Sequence, residues 1–172
     1  LVLQSTDGGW LAANHRGHRA VAVRRAAERI RARRFELRLQ IMTGLYRDTP
    51  ARSLDTMRAL IACKPDTMRI YPTVVLPGTR LAQLYREGLY RPQELEEAVA
   101  LCSRLIPLCE EAGVRVIRVG LHAEDGVDAA RIAGPYHPAF RELCESRILL
   151  GAFVPALTQK LEKTGKIAYN IK

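Results

Sequence analysis

Residues 68–92 read MRIYPTVVLPGTRLAQLYREGLYRP, and the order of residue types along them decides the fold. Met68, Ile70, Tyr71, Val74 and Val75 place β-branched and aromatic side chains in a short apolar run, the pattern of a strand buried in a sheet. Pro77-Gly78 ends that run, and the Thr79 hydroxyl is placed to cap a helix over Arg80 to Glu87. Gly88 closes the helix, because a residue without Cβ enters a left-handed cap at little cost. Strand, tight loop and helix in this order put the loop at the strand's carboxyl end, where α/β barrels and open α/β sheets bind ligands. The stretch itself holds no nucleophile–base pair and no metal-ligand spacing.

The same organisation extends to both sides. Upstream, Phe35 to Met42 (FELRLQIM) alternates and then closes apolar, which predicts a strand; a loop from Thr43 to Pro50 and a helix from Ala51 to Cys63 follow. Ala20, Val23, Ala27 and Ile30 recur at helical spacing among arginines. Leu1 to Gln4 is apolar enough for a further strand. Downstream, Pro92 is expected to open a helix whose first turns carry Glu94, Glu96 and Glu97, favourably for the helix dipole, and Gly113 to end it. Val114 to Leu121 (VRVIRVGL) is the next strand, and 122–134 reads as a polar loop with room for a short helix. RELCESRILL is a helix, and from Gly151 to Lys172 a separate weak helix and an extended KIAYNI are expected. Strands alternating with helices predict an α/β fold with parallel pairing, with 1–150 as one unit and 151–172 as a C-terminal tail.

At 172 residues and 48% apolar the chain has enough material for one good core. It contains no long uncharged apolar run and no signal-peptide pattern, so a cytoplasmic protein without a membrane span is expected. The net charge of +9 is carried largely by arginines, concentrated between Arg16 and Arg38. Solvated helix faces account for them; RNA is the sharper alternative partner. Cys63, Cys102, Cys109 and Cys144 form no CxxC pair and have no histidine at zinc-finger spacing, so they read as small buried hydrophobes kept reduced. His15 and His18 read as a surface loop pair. His137, between two prolines, is read as a packing residue in preference to a catalytic one. Glu110 and Glu111 are adjacent, face different ways on a helix and make a poor acid–base pair. Gly44 stands alone, which excludes a glycine-rich phosphate cradle.

Ile70, Tyr71, Pro72, Val75, Gly78, Thr79, Leu81, Gly88, Tyr90 and Pro92 stand at the spacing of an "IYP…V…GT.L…G.Y.P" pattern. From Leu1 to about Leu150 the chain resembles radical S-adenosylmethionine enzymes of the group related to the catalytic subunit of Elongator and to coproporphyrinogen oxidase-like proteins. LVLQSTDGGWL is similar to that group's "GVQS.D..L", with Val2 in place of its glycine. Asn14 to His18 resembles its "RGH" loop, and GPYHPAFRELCESRI its bacterial members. MTGLYRDT stands where the group has MTGLPGDT, and replacing Pro-Gly by Tyr46-Arg47 predicts a looser turn.

The resemblance implies the second half of a partial (β/α) barrel with parallel strands and a C-terminal helical extension. It also implies the family's cofactors, S-adenosylmethionine and a [4Fe–4S] cluster held by a CxxxCxxC loop after the first strand. Cluster irons are bound by thiolates, and this sequence has no such loop. The chain is therefore expected to be a fragment that binds no cluster and no other metal, is inactive alone, and has the missing N-terminal half of the barrel as its partner. By the same resemblance Gln4 and Gln40 would contact the cosubstrate and Arg16 its carboxylate. The full-length enzyme would act on tRNA or another large substrate, although nothing here matches Elongator's acetyltransferase domain. The alternative is a non-catalytic basic binding or scaffold module, possibly one for RNA. Without flanking strands the chain is expected to self-associate.

Overall fold

The computed structural model describes residues 20–121 and 127–164. In chain order they form α1 (Ala20–Ala32), β1 (Arg38–Thr43), α2 (Pro50–Ile61), β2 (Thr67–Pro72), α3 (Arg80–Arg86), α4 (Leu95–Glu111), β3 (Arg115–Val119), α5 (Val127–Ala130) and α6 (Phe140–Thr164). The three strands make one sheet in the order β1-β2-β3, parallel throughout, as the alternation of elements requires. Arg38 pairs with Thr67 and Thr43 with Pro72.

One face of the sheet carries the core. Leu39 and Ile41 of β1, Met68 and Ile70 of β2, and Val116 and Val119 of β3 are buried with Met57 and Leu60 of α2 and Cys102, Leu105 and Ile106 of α4. Phe140 and Cys144 bring α6 onto the same cluster. Each buried aliphatic side chain of this kind contributes about 1.5–3 kcal/mol, so this face holds the fold together.

Side-chain caps set the helix starts. The Thr49 hydroxyl accepts from Arg52 N at 3.2 Å, with Pro50 opening α2, and the Thr79 hydroxyl accepts from Ala82 N at 3.1 Å at the head of α3. Gly88, at φ 71°, follows α3 as expected. Helix α4 starts at Leu95 and not at Pro92. Glu94 is its cap, and a reciprocal capping box with Glu97 fixes the start there, leaving Pro92 in the approach.

Three further boundaries differ from the sequence reading. Phe35 is 67% exposed and lies before β1, because Arg34 at φ 59° reverses the chain and Leu37 N is held by the Asp66 carboxylate at 2.7 Å. Strand β2 stops at Pro72; Val75 instead makes an antiparallel bridge to Ala133, with Val75 N to Ala133 O and Ile132 N to Val75 O both at 2.8 Å. Gly151 does not end the last helix. The helix runs on through it to Thr164 with Pro155 inside, where the missing N–H removes the hydrogen bond to the carbonyl of residue 151. Leu1 to Gln4 and KIAYNI lie outside the described residues. No described helix is long and apolar enough to cross a membrane.

Candidate functional site on the open face of the sheet

Alternation along the strands sends a second set of side chains away from the core. These are Gln40 and Met42 of β1, Arg69 and Tyr71 of β2, and Arg118 of β3, all half-buried. Gln40 pairs with Arg69, Arg69 with Arg118, and Met42 with Tyr71, so a polar row crosses all three strands with a second row one pleat nearer the carboxyl ends. Arg118 reaches this row through a register shift. Met68 pairs with Val116 but Arg69 with Arg118, which leaves Ile117 as an extra residue in β3. Of the three residues expected to contact the cosubstrate, Gln40 lies in this row. Gln4 and Arg16 lie outside the described residues.

At the carboxyl end of β1, Gly44 turns the chain at φ 73°, and a Cβ there would run into the Gln93 side chain. The loop that follows is tightly held, contrary to the expectation from Tyr46-Arg47. Asp48 N donates to Leu45 O at 2.9 Å, with Arg47 in the left-handed region at φ 62°. The Asp48 carboxylate accepts from Gly44 N at 2.9 Å, Thr49 N at 2.8 Å and the Ser53 hydroxyl at 2.7 Å. Burial raises the Asp48 carboxyl above the usual carboxylate range, and those three hydrogen bonds offset part of the rise. The Tyr90 hydroxyl donates to Gly44 O at 2.6 Å, and burial holds that phenol protonated. Between this loop and α4 lies a cavity of about 720 Å³ lined by Tyr46, Arg47, Tyr90, Gln93 and Arg104 among others.

The cysteines sit on the other side. Cys102, Cys109 and Cys144 are fully buried and Cys63 half-buried, its thiol on Ala59 O at 3.5 Å. A hydrogen bond from Cys144, then burial, pushes the Cys102 thiol well up; burial pushes Cys109 up to about 12 and raises Cys63. Cluster ligation needs thiolates converging on one point, so these dispersed, protonated thiols do not fit an iron–sulfur cluster. Among the described residues no three His, Cys, Asp or Glu side chains form a metal-binding group. His137 accepts from Ala139 N at 3.1 Å, a local bond at the head of α6. His15 and His18 lie outside the described residues. Sequence reasoning passed over Arg69 and Arg118; the alternation Arg69-Ile70-Tyr71 was the available signal for the first of them.

Comparison with known proteins agrees with this geometry. Residues 65–149 match the Radical_SAM C-terminal domain. The tRNA uridine(34) acetyltransferase of Dehalococcoides mccartyi is 35% identical over 81 residues, covering 45% of this chain and 17% of that protein. Elongator complex protein 3 of Mus musculus is 43% identical over 49 residues, covering 27% of this chain and 9% of that protein. The solved archaeal Elp3 of Methanocaldococcus infernus superposes with a TM-score of 0.78 at 20% identity, over 87% of this chain and 35% of that one. The chain thus spans a minor part of the length of the relatives it matches, and it shares the fold of the solved one. Residues 65–149 thus carry the Radical_SAM C-terminal domain, and the chain is similar to the group of radical S-adenosylmethionine enzymes related to the Elongator catalytic subunit.

Proposed function

We propose that this chain forms the later part of the barrel wall in a radical S-adenosylmethionine enzyme and generates no radical by itself. The observation that carries the proposal is the division of the sheet into two faces. Gln40, Arg69, Tyr71 and Arg118 line the face not filled by the core, while Cys102, Cys109 and Cys144 are sealed on the helix-covered side. In this reading the open face is the inner wall, Gln40 contacts S-adenosylmethionine, and Gln4 and Arg16 belong to the same mouth. The cluster is held by the part of the barrel that carries the earlier strands, which is the chain's partner; with it bound, the family's chemistry is reductive cleavage of S-adenosylmethionine to a 5′-deoxyadenosyl radical. The setting is the cytoplasm.

Anaerobic reconstitution of this chain with iron and sulfide is expected to leave no stoichiometric cluster and to release no 5′-deoxyadenosine above background. Sustained deoxyadenosine release that depended on Cys63, Cys102, Cys109 or Cys144 would overturn the proposal.

One observation favours a second role, in RNA binding. Helix α1 and the turn after it expose Arg24, Arg25, Arg29, Arg33 and Arg34, while Glu28 is the acid in that helix. The D. mccartyi relative is by its description an enzyme of tRNA, and such a substrate fits a basic helix of this kind.

A further inference from the structure

We propose that Arg69 and Arg118 together form a binding site for a phosphate group. The two are Cα partners on neighbouring parallel strands, so their side chains leave the same face of the sheet. Like charges set opposite each other across a ladder destabilise it, and partial withdrawal from water reduces the screening that would soften this. Five exposed arginines meet acids, Arg38 with Glu36, Arg58 with Asp55, Arg91 with Glu97, Arg141 with Glu145 and Arg147 with Glu96, and arginines on exposed helix faces can rely on water instead, as Arg69 and Arg118 on the half-buried sheet face can do only in part. Among the described residues no acid pairs with Arg69 or Arg118. Two adjacent cations with no counter-charge among the described residues, on a half-buried surface, are stabilised by an anion that arrives from outside.

The chemistry of the row selects the anion. Guanidinium forks bind the oxygens of phosphate and carboxylate in pairs. A phosphate monoester carries about −1.5 to −2 charges at neutral pH, which two guanidiniums match better than they match a singly charged carboxylate. Gln40 completes the row with an amide that donates or accepts. Thr67, two residues before Arg69 on the same side of β2, is 2% exposed and its hydroxyl has no hydrogen-bond partner, so the row borders an unsatisfied buried donor. The inference rests on the open face being the ligand side, as proposed above, but not on the radical chemistry; the reconstitution result leaves it standing.

The test is calorimetric titration of the intact 172-residue chain with inorganic phosphate, AMP and acetate, at constant ionic strength set with chloride. Saturable binding of phosphate and AMP is expected, weaker by about tenfold or more in Arg69→Gln and in Arg118→Gln, and unchanged in Arg58→Gln on α2, whose guanidinium is exposed and paired with Asp55. AMP binding more tightly than phosphate identifies the source as a nucleotide; equal binding identifies free phosphate. Unchanged affinity in both β-strand variants, or acetate binding as tightly as phosphate, overturns the site. Melting in phosphate against chloride is the second measurement, and it stands even where a variant fails to fold. Phosphate is expected to raise the melting temperature of the native chain, and the absence of a rise also overturns the site. The variants are expected to melt no lower than the native chain in chloride, since each removes a repulsion; a structural role for either arginine would show as a lower melting temperature.

Discussion

Asp48 shows how one residue fixes a loop that its neighbours read as loose. The sequence around it replaces Pro-Gly with Tyr46-Arg47, and Arg47 takes the left-handed conformation that glycine adopts freely. The turn survives because a single carboxylate gathers Gly44 N, Thr49 N and the Ser53 hydroxyl. No pattern of residue types reveals that convergence, since the donors lie on the loop and on α2. Asp48→Ala is expected to lower stability by about 1.5–3 kcal/mol, the range for hydrogen bonds to a charged group, measured by urea unfolding. The pH dependence has a definite sign. The folded carboxyl is raised by burial, so the folded state holds the proton more tightly than the unfolded state. This contribution to stability is present in full below the ordinary carboxylate value and falls as pH rises from there through the raised value. In Asp48→Asn that fall is expected to flatten; an identical slope in the variant would remove Asp48 as its cause.

The helices and strands were largely legible because their punctuation is local. Thr49 and Thr79 cap the helices they were expected to cap, or stand where a start was expected, and Gly88 and Gly113 follow the expected ends. The misplaced boundaries were set by distant partners: Ala133 draws Val75 out of the ladder, and Asp66 holds Leu37 at the start of β1. Helix α1 matches its sequence reading, with Val23 and Ala27 buried and arginines outward. Its charge has a testable consequence. Arg31 is engaged with the Lys64 carbonyl, whereas Arg24, Arg25 and Arg34 are among the exposed cations available to phosphates. RNA affinity carried by this helix is expected to fall steeply with salt, by counterion release, and to drop when these three are changed to Gln. Binding that ignored salt, or that survived the three changes, would place RNA elsewhere.

Across the whole molecule, the core face of the sheet was readable from alternation alone, and the open face only in part. Gln40 could be placed from its resemblance to a known group, whereas the pairing of Arg69 with Arg118 depends on a one-residue shift that alternation does not show. Among the described residues β1 and β3 are the edges of the sheet, and Leu149, Leu150, Phe153 and Val154 of α6 are exposed at 68%, 62%, 61% and 55%. Sheet edges and contiguous apolar surface both favour association. The isolated chain is expected to sediment as more than a monomer, and Leu149→Glu with Phe153→Glu to shift it toward monomer. A monomer at all concentrations for the native chain would show that these surfaces are not adhesive.

The extra residue in β3 bears on how this strand tolerates a change in length. Deleting one residue from a strand ordinarily turns every later side chain to the wrong face. Here Val116 and Val119 face the core with Ile117 and Arg118 between them, so loss of Ile117 would leave Val-Arg-Val in strict alternation. A single-codon deletion at this position would therefore regularise the ladder, keeping Arg118 beside Arg69 and Val119 beside Ile70, and the strand would be shortened without being scrambled.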